Sequence, residues 1–390
     1  MTKRLVVCCD GTWNLADQPS KTNVTKVALS VLPRSADGTE QRVYYHSGVG
    51  TRRWERLGGG AFGVGLSRNV LAAYRFLAEN YEPGDELYLF GFSRGAFTAR
   101  SLAGLINNSG ILRRRNADRI KEAWALYRSR IEKPNGAAST LFRRAYAHEA
   151  DIHFIGVWDT VGALGIPVPG PRWLGPAVNL VNRRWAFHDT DLGPHIRTAR
   201  HALAIDEQRE AFPPTLWHQK PAAAAAGQTL EQIWFTGVHC DVGGGYPQTG
   251  LSDITLLWMV EQAARHGLEF DAEAFSEHGP EVMTPERSSE FRVDANPMGK
   301  RHESRTALWR LFKPLHRPIG NEQDRQFVSE TARKRYDADP TYREQSPELG
   351  RYLTAGTPLD LARVPLTAAE AGMAPTPRSS EGERTELPVQ

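Results

Sequence analysis

The stretch Glu86-Leu87-Tyr88-Leu89-Phe90-Gly91-Phe92-Ser93-Arg94-Gly95-Ala96 decides how the rest of the chain is read. Glu86 to Phe90 is rich in apolar and aromatic residues, the composition of a strand. A Gly-x-Ser-x-Gly pentapeptide follows, and from Ala96 to Ile106 the apolar residues take helical spacing. The two glycines let a strand turn sharply into a helix without a Cβ clash. Such a turn lifts the Ser93 hydroxyl to the carboxyl end of the sheet, at a helix N-terminus that favours developing negative charge. The plainer alternative is a Gly-bounded turn with serine as a helix N-cap.

On either side of this turn, strands alternate with helices. Leu5 to Cys9 is a continuous apolar run of the kind buried on both faces of a sheet, and Arg42 to His46 is a second strand. Val70, Leu71, Tyr74, Leu77, Ala78 and Tyr81 share one helical face, and Pro83-Gly84 ends that helix. Asn116 to His148 reads as two helices broken at Pro134-Asn135-Gly136, Asp151 to Val157 as a strand, and His195 to Phe212 as helical. Gln232 to Thr236 is a strand and Ser252 to about His266 a helix. This order predicts an α/β fold, a three-layer sandwich with a mainly parallel central sheet. The alternation fades after residue 270. The expected organisation is therefore a catalytic domain over 1–270, an appended helical or irregular cover over 271–362, and a disordered tail over 363–390, rich in Pro, Ser, Thr and Glu.

Composition excludes several classes of function. The chain has 40% hydrophobic and 24% charged residues, so wholesale disorder is excluded. Its 48 basic against 45 acidic side chains give no reason to expect nucleic-acid binding. No apolar run reaches the roughly 18–20 residues of a membrane span, so no transmembrane segment is expected. Cys8, Cys9 and Cys240 cannot all pair, which fits a reducing compartment. The apolar stretch at the N-terminus is too short for a signal peptide, so the expected location is the cytoplasm.

A serine nucleophile needs a base and a carboxylate that orients the base. Asp159 follows the strand Asp151–Val157 and His239 follows the strand Gln232–Thr236, which puts both on the same sheet edge as Ser93. The order Ser, acid, His is the one α/β-hydrolases use. Rival bases are His195, His201 and His218; rival carboxylates are Asp10 and Asp241. Oxyanion donors would be the N–H of Arg94 and that of Gly11 or Thr12, although Asp10-Gly11-Thr12 reads equally well as an Asx-turn closing the first strand. Gly58 to Gly63 matches Gly-x-Gly-x-x-Gly but starts well past a strand end and has no Gly-Lys-Ser/Thr after it, so it reads as a mobile flap rather than a nucleotide site. Asp10, His239, Asp241 and Asp253 could ligate a divalent ion, but no His-x-Glu or paired-Cys spacing supports a metal, and no cofactor is expected.

Six ordered motifs carry a family resemblance: Cys9-Asp-Gly-Thr-Trp-Asn14, Gly91-Phe-Ser-Arg-Gly-Ala96, Val157-Trp-Asp-Thr-Val-Gly162, Arg200-His-Ala-Leu-Ala204, His239-Cys-Asp-Val-Gly-Gly-Gly-Tyr246 and Leu251-Ser-Asp-Ile254. Over roughly residues 3–265 the chain resembles the DUF2235 family, similar to the catalytic domain of type VI secretion phospholipase effectors. The resemblance implies an α/β-hydrolase fold and a Ser-Asp-His triad at Ser93, Asp159 and His239. The expected activity is hydrolysis of a carboxylic ester, of a phospholipid or other lipid-like kind. The alternatives are a small polar ester, or a binding module that keeps the scaffold without turnover. Export by a contractile secretion system would be compatible with this, and protein partners are left open.

Overall fold

The computed structural model describes residues 2–11, 20–48, 59–129, 131–161, 191–275, 291–305, 313–320, 325–355 and 361–373. Eight strands form one sheet: β1 (Lys3–Cys9), β2 (Glu40–His46), β3 (Glu86–Phe92), β6 (Ile152–Trp158), β7 (Ile196–Ala204), β8 (Thr229–Phe235), β9 (Gln326–Ser329) and β10 (Leu361–Ala362). The intervening β4 (Ile111–Leu112) and β5 (Ala147–His148) pair only with each other. The spatial order of the main sheet is β2-β1-β3-β6-β7-β8-β9-β10, and every neighbouring pair is parallel.

Alternation along the strands builds two cores. Leu5, Val7, Leu87, Leu89, Ile155 and Val157 face one layer, where they meet α2 (Gly59–Asn80) and α3 (Arg94–Ser109). Val6, Cys8, Tyr88, Phe90 and Phe154 face the other, where Val24 and Val27 of α1 (Asn23–Ser30) and Leu256, Leu257 and Val260 of a helix at Gly250–Arg265 cover them. Strands buried on both faces need apolar residues at consecutive positions, which is why β1 reads as an unbroken run.

The topology also locates a crevice. The chain leaves β1 for β2 on one side and returns to β3 on the other, so the order reverses between β1 and β3. In open α/β sheets ligand sites form outside the carboxyl ends of strands at such a reversal. Register sharpens this, because Phe92 is paired with Trp158 and Trp158 with Ala202. Ser93 and Asp159 therefore leave adjacent strands at the same level.

Several elements differ from the sequence reading. Residues 196–204 form β7, not a helix. Its Ala, Leu and Arg residues favour helices, but the segment lies inside the sheet, where Ala199, Ala202, Leu203 and Ala204 are fully buried, and burial overrides propensity. The glycines from Gly59 to Gly65 lie in the opening turns of α2 rather than in a flap. The region after residue 270 is more than a cover, since Gln326–Ser329 extends the main sheet beside β8. Part of the segment read as a disordered tail is also packed: Val364, Ala371 and Met373 are buried in the second core. Their neighbours are mostly proline, alanine and glycine, a composition that carries no helical or strand periodicity to announce an element.

Candidate active site

Ser93 sits between β3 and α3 with φ 58° and ψ −120°. A non-glycine residue in this region is strained. Among the described residues only Ser93, Asp159 (φ 36°) and Arg325 share a positive φ without being glycine. The flanking glycines make the turn possible: a Cβ on Gly95 would lie 2.0 Å from the Cys9 carbonyl oxygen, and one on Gly91 would lie 2.5 Å from the Gly95 carbonyl oxygen. The Ser93 N–H donates to the Trp158 carbonyl at 3.0 Å, which stitches the turn to the end of β6. The side chain makes no capping bond to α3. The N-cap alternative thus loses its defining contact.

Instead the hydroxyl reaches His239, with Oγ 2.7 Å from Nε2. His239 follows β8 at the head of a short helix, His239–Gly243, and its Nδ1 lies 2.6 Å from Asp159 Oδ2. A carboxylate only accepts, so Nδ1 carries the proton and Nε2 is left to accept from the serine hydroxyl. The ring is wedged between Phe92, at 4.6 Å between centroids, and Phe212, edge-on at 5.1 Å. Burial among these rings pushes the imidazole pKa below its ordinary value, opposed by the Asp159 hydrogen bond and charge.

Asp159 is fully buried and accepts four hydrogen bonds. His239 Nδ1 and Arg317 Nη2 (3.1 Å) donate to Oδ2; Arg317 Nη1 (2.6 Å) and the Ala204 N–H (3.1 Å) donate to Oδ1. Burial alone would raise its pKa, but the Arg317 charge, followed by the hydrogen bond and charge of His239, outweighs it and holds the carboxyl well below the usual range.

The other candidates are engaged elsewhere. Asp10 Oδ2 accepts from the hydroxyls of Thr22 (2.6 Å), Thr25 (2.8 Å) and Tyr45 (2.8 Å), and Oδ1 from the Gly11 N–H at 2.6 Å. The Gly11 amide is therefore turned to the side chain of its neighbour Asp10, and Thr12, whose N–H would close an Asx-turn, lies outside the described residues. Arg94 is the first residue of α3. Asp241 accepts the Val238 N–H at 3.0 Å and pairs with His302 Nδ1 at 2.6 Å, so it caps the short helix after β8 and anchors residue 302. Asp253 pairs with Lys26. Among the described residues no cluster of three or more His, Cys, Asp and Glu side chains is arranged to hold a metal.

The rival histidines are also placed. His195 is half-buried with Nε2 2.9 Å from the Ala103 carbonyl, and desolvation pushes its pKa down to about 4. His201 accepts the Thr160 N–H at 3.1 Å inside the sheet, and desolvation pushes it down to about 3. Neither touches Ser93. His218 is exposed.

Three residues that no sequence motif singled out complete the surroundings. Arg317 grips Asp159; Glu207 accepts the His239 N–H at 3.2 Å; and Ser304 donates to Glu207 at 2.9 Å. Arg317 stands in a charged, aperiodic segment, where nothing separates a buried arginine from a solvated one.

Among the described residues no helix is long and apolar enough to cross a membrane. The family model described as T6SS, phospholipase effector Tle1-like, catalytic domain matches residues 3–262. An uncharacterized protein of Saccharomyces cerevisiae is 33% identical over a 235-residue alignment that covers 54% of this chain and only 32% of the yeast protein. A crystal structure of an uncharacterized protein from Pseudomonas aeruginosa aligns with a TM-score of 0.40 and 19% identity, over 75% of this chain and 49% of that one. The match over residues 3–262 takes in β1 to β8 and with them Ser93, Asp159 and His239, and the chain belongs to the Tle1-like phospholipase-effector catalytic-domain family, a family of hydrolases.

Proposed function

We propose that the protein is a serine hydrolase that cleaves the carboxylic ester of a lipid-like substrate, a phospholipid in the first instance. The observation that carries this reading is the hydrogen-bonded chain from Ser93 Oγ through His239 to Asp159, at 2.7 and 2.6 Å, with a serine side chain that does nothing for its helix. Ser93 attacks the ester carbonyl while Nε2 of His239 takes the hydroxyl proton. Asp159 stabilises the imidazolium that results. The tetrahedral oxyanion is received at the head of α3 by the Arg94 N–H. His239 then protonates the departing alcohol, and water admitted in its place releases the fatty acid by the same steps in reverse order. The lipid class is supported by the family, whose model is that of a phospholipase effector.

Two measurements test the reading. A fluorophosphonate probe should form an adduct on Ser93 and none on the Ser93→Ala variant; an unlabelled wild-type protein would point to a binding module. In an acyl series from acetyl to octanoyl, kcat/KM should rise by up to roughly 0.8 kcal/mol of transition-state stabilisation for each methylene buried. The series continues to phosphatidylethanolamine and phosphatidylglycerol vesicles, with Ser93→Ala as the blank. A flat profile would exclude a lipid ester and leave a small polar one.

A further inference from the structure

Arg317 lies beyond residue 262, where the family match ends, yet its side chain is fully buried beneath the triad carboxylate. Nη1 and Nη2 each donate to one oxygen of Asp159 and each has a second acceptor: the Ala204 carbonyl for Nη1 at 2.8 Å, and the Phe212 carbonyl for Nη2 at 2.6 Å. One guanidinium thus ties together the end of β6, the end of β7 and the loop whose Phe212 ring packs edge-on against His239. We infer that Arg317 is a positioning residue for the Ser93–His239–Asp159 array, holding the Asp159 carboxylate toward His239 Nδ1 and offsetting its charge.

The planar fork matters because it addresses both carboxylate oxygens and fixes the rotation of the carboxyl group; an ammonium reaches one oxygen at a time. Charge matters as well. A buried carboxylate facing an imidazole draws a proton onto the pair, and a protonated pair cannot accept from Ser93. A neighbouring cation lowers the proton affinity of the pair as a whole, wherever the proton would reside. The other charged or titratable groups facing the pair are few. Glu207 and Arg209, from the loop after β7, form an ion pair with each other at 2.9 Å. His201, on β7, is buried and neutral, and Cys240, next to His239, has its thiol pushed up to about 12 by burial. That leaves Arg317 as the cation in direct contact with Asp159.

The inference rests on the hydrolase reading, so its test includes a measurement that needs no turnover. The full-length chain and its Arg317→Gln and Arg317→Lys variants are compared by the pH dependence of p-nitrophenyl butyrate hydrolysis. In parallel, the His239 imidazole is titrated by NMR, with its signal assigned by its loss in His239→Ala. In Arg317→Gln the acid-side midpoint and the imidazole titration should both rise, by about one pH unit. At the plateau kcat should fall about 10²-fold with KM little changed, because the carboxylate loses its orientation without any loss of substrate contacts. Arg317→Lys should keep the midpoint near that of the wild type and lose about tenfold in kcat, since one prong is missing.

A folded Arg317→Gln whose imidazole titrates as in the wild type overturns the proposal. If that variant does not fold, Arg317→Lys decides, and full wild-type kcat in it overturns the positioning role. If Ser93 is never labelled by the fluorophosphonate but the imidazole titration still moves in Arg317→Gln, the hydrolase reading fails while the coupling of Arg317 to the Asp159–His239 pair stands.

Discussion

Glu207 holds the main-chain N–H of His239 at 3.2 Å through Oε2, while its other oxygen accepts from Ser304 Oγ at 2.9 Å and from the Arg209 amide at 2.8 Å. The histidine is thus fixed at two points, by Asp159 at its ring and by Glu207 at its backbone. A carboxylate suits this role because it accepts at both oxygens; an amide presents donors on one side. Glu207→Gln should therefore turn an N–H toward donors and leave Arg209 without its counter-charge. We expect kcat to fall about tenfold, the equivalent of one charge-assisted hydrogen bond, together with a lower melting temperature. Unchanged values of both would show that the Glu207 contacts are incidental.

Substitutions in the array itself separate chemistry from stability. Ser93→Ala and His239→Ala should each lower esterase turnover by about 10³-fold or more, and the double variant should be scarcely worse than either single one, because the residues act as a unit. Asp159→Asn should differ from both. It leaves the buried Arg317 guanidinium without a counter-charge, and breaking one side of such a pair costs about 3–5 kcal/mol. Thermal melts of the three single variants check this: Asp159→Asn should melt well below Ser93→Ala. Equal melting points would mean that the Asp159–Arg317 pair contributes no net stability.

The pH response follows from burial. As the proposed base, His239 accepts a proton only when neutral, and burial depresses its pKa below the ordinary value of 6.5. Activity should therefore persist on acidification past pH 6.5 and fall only below it. Stability has the opposite sensitivity. His195 and His201 are depressed to about 4 and about 3, so below pH 6.5 the unfolded chain binds protons that the folded chain refuses. The melting temperature should then drop steadily as the pH is lowered from 6.5 toward 4, even where turnover is still level. A melting temperature that stays flat across that interval would contradict neutral burial of both rings.

The turn at Ser93 has almost no tolerance. Gly95→Ala places a methyl group where the Cys9 carbonyl oxygen already stands, against backbone that cannot swing aside. We expect a stability loss of about 1–3 kcal/mol and loss of Ser93 labelling, because β1 and the nucleophile turn must separate. Normal labelling of Gly95→Ala would require a looser packing of α3 on β1 than the structure has.

The strand-to-helix turn at Ser93, the strand ends at Asp159 and His239, and the parallel α/β layering could all be read from the sequence because each rests on a local pattern: apolar runs, glycine spacing and helical periodicity. β7 misled that reading because its residues favour a helix and only the surrounding sheet makes it a strand. Gly11 was undetermined for a different reason. An Asx-turn and an oxyanion donor use the same residues, and no local pattern says which acceptor the Gly11 N–H takes, here Asp10 Oδ1 at 2.6 Å. Arg317, Glu207 and Ser304 had no local signature at all. Their roles arise from contacts between segments far apart in sequence, such as Arg317 on Asp159, which no periodicity encodes.

The placement of Arg317 and β9 late in the chain also has a consequence for synthesis. Ser93, Asp159 and His239 all leave the ribosome before the segment that brings the guanidinium to Asp159 and the strand that covers the open flank of β8. During that interval the nascent sheet has an unpaired edge, and the carboxylate at its heart has no cation beside it. The Ser93–His239–Asp159 array is thus put together from segments that emerge at different times, and the Asp159–Arg317 contact can form only once residue 317 has been made.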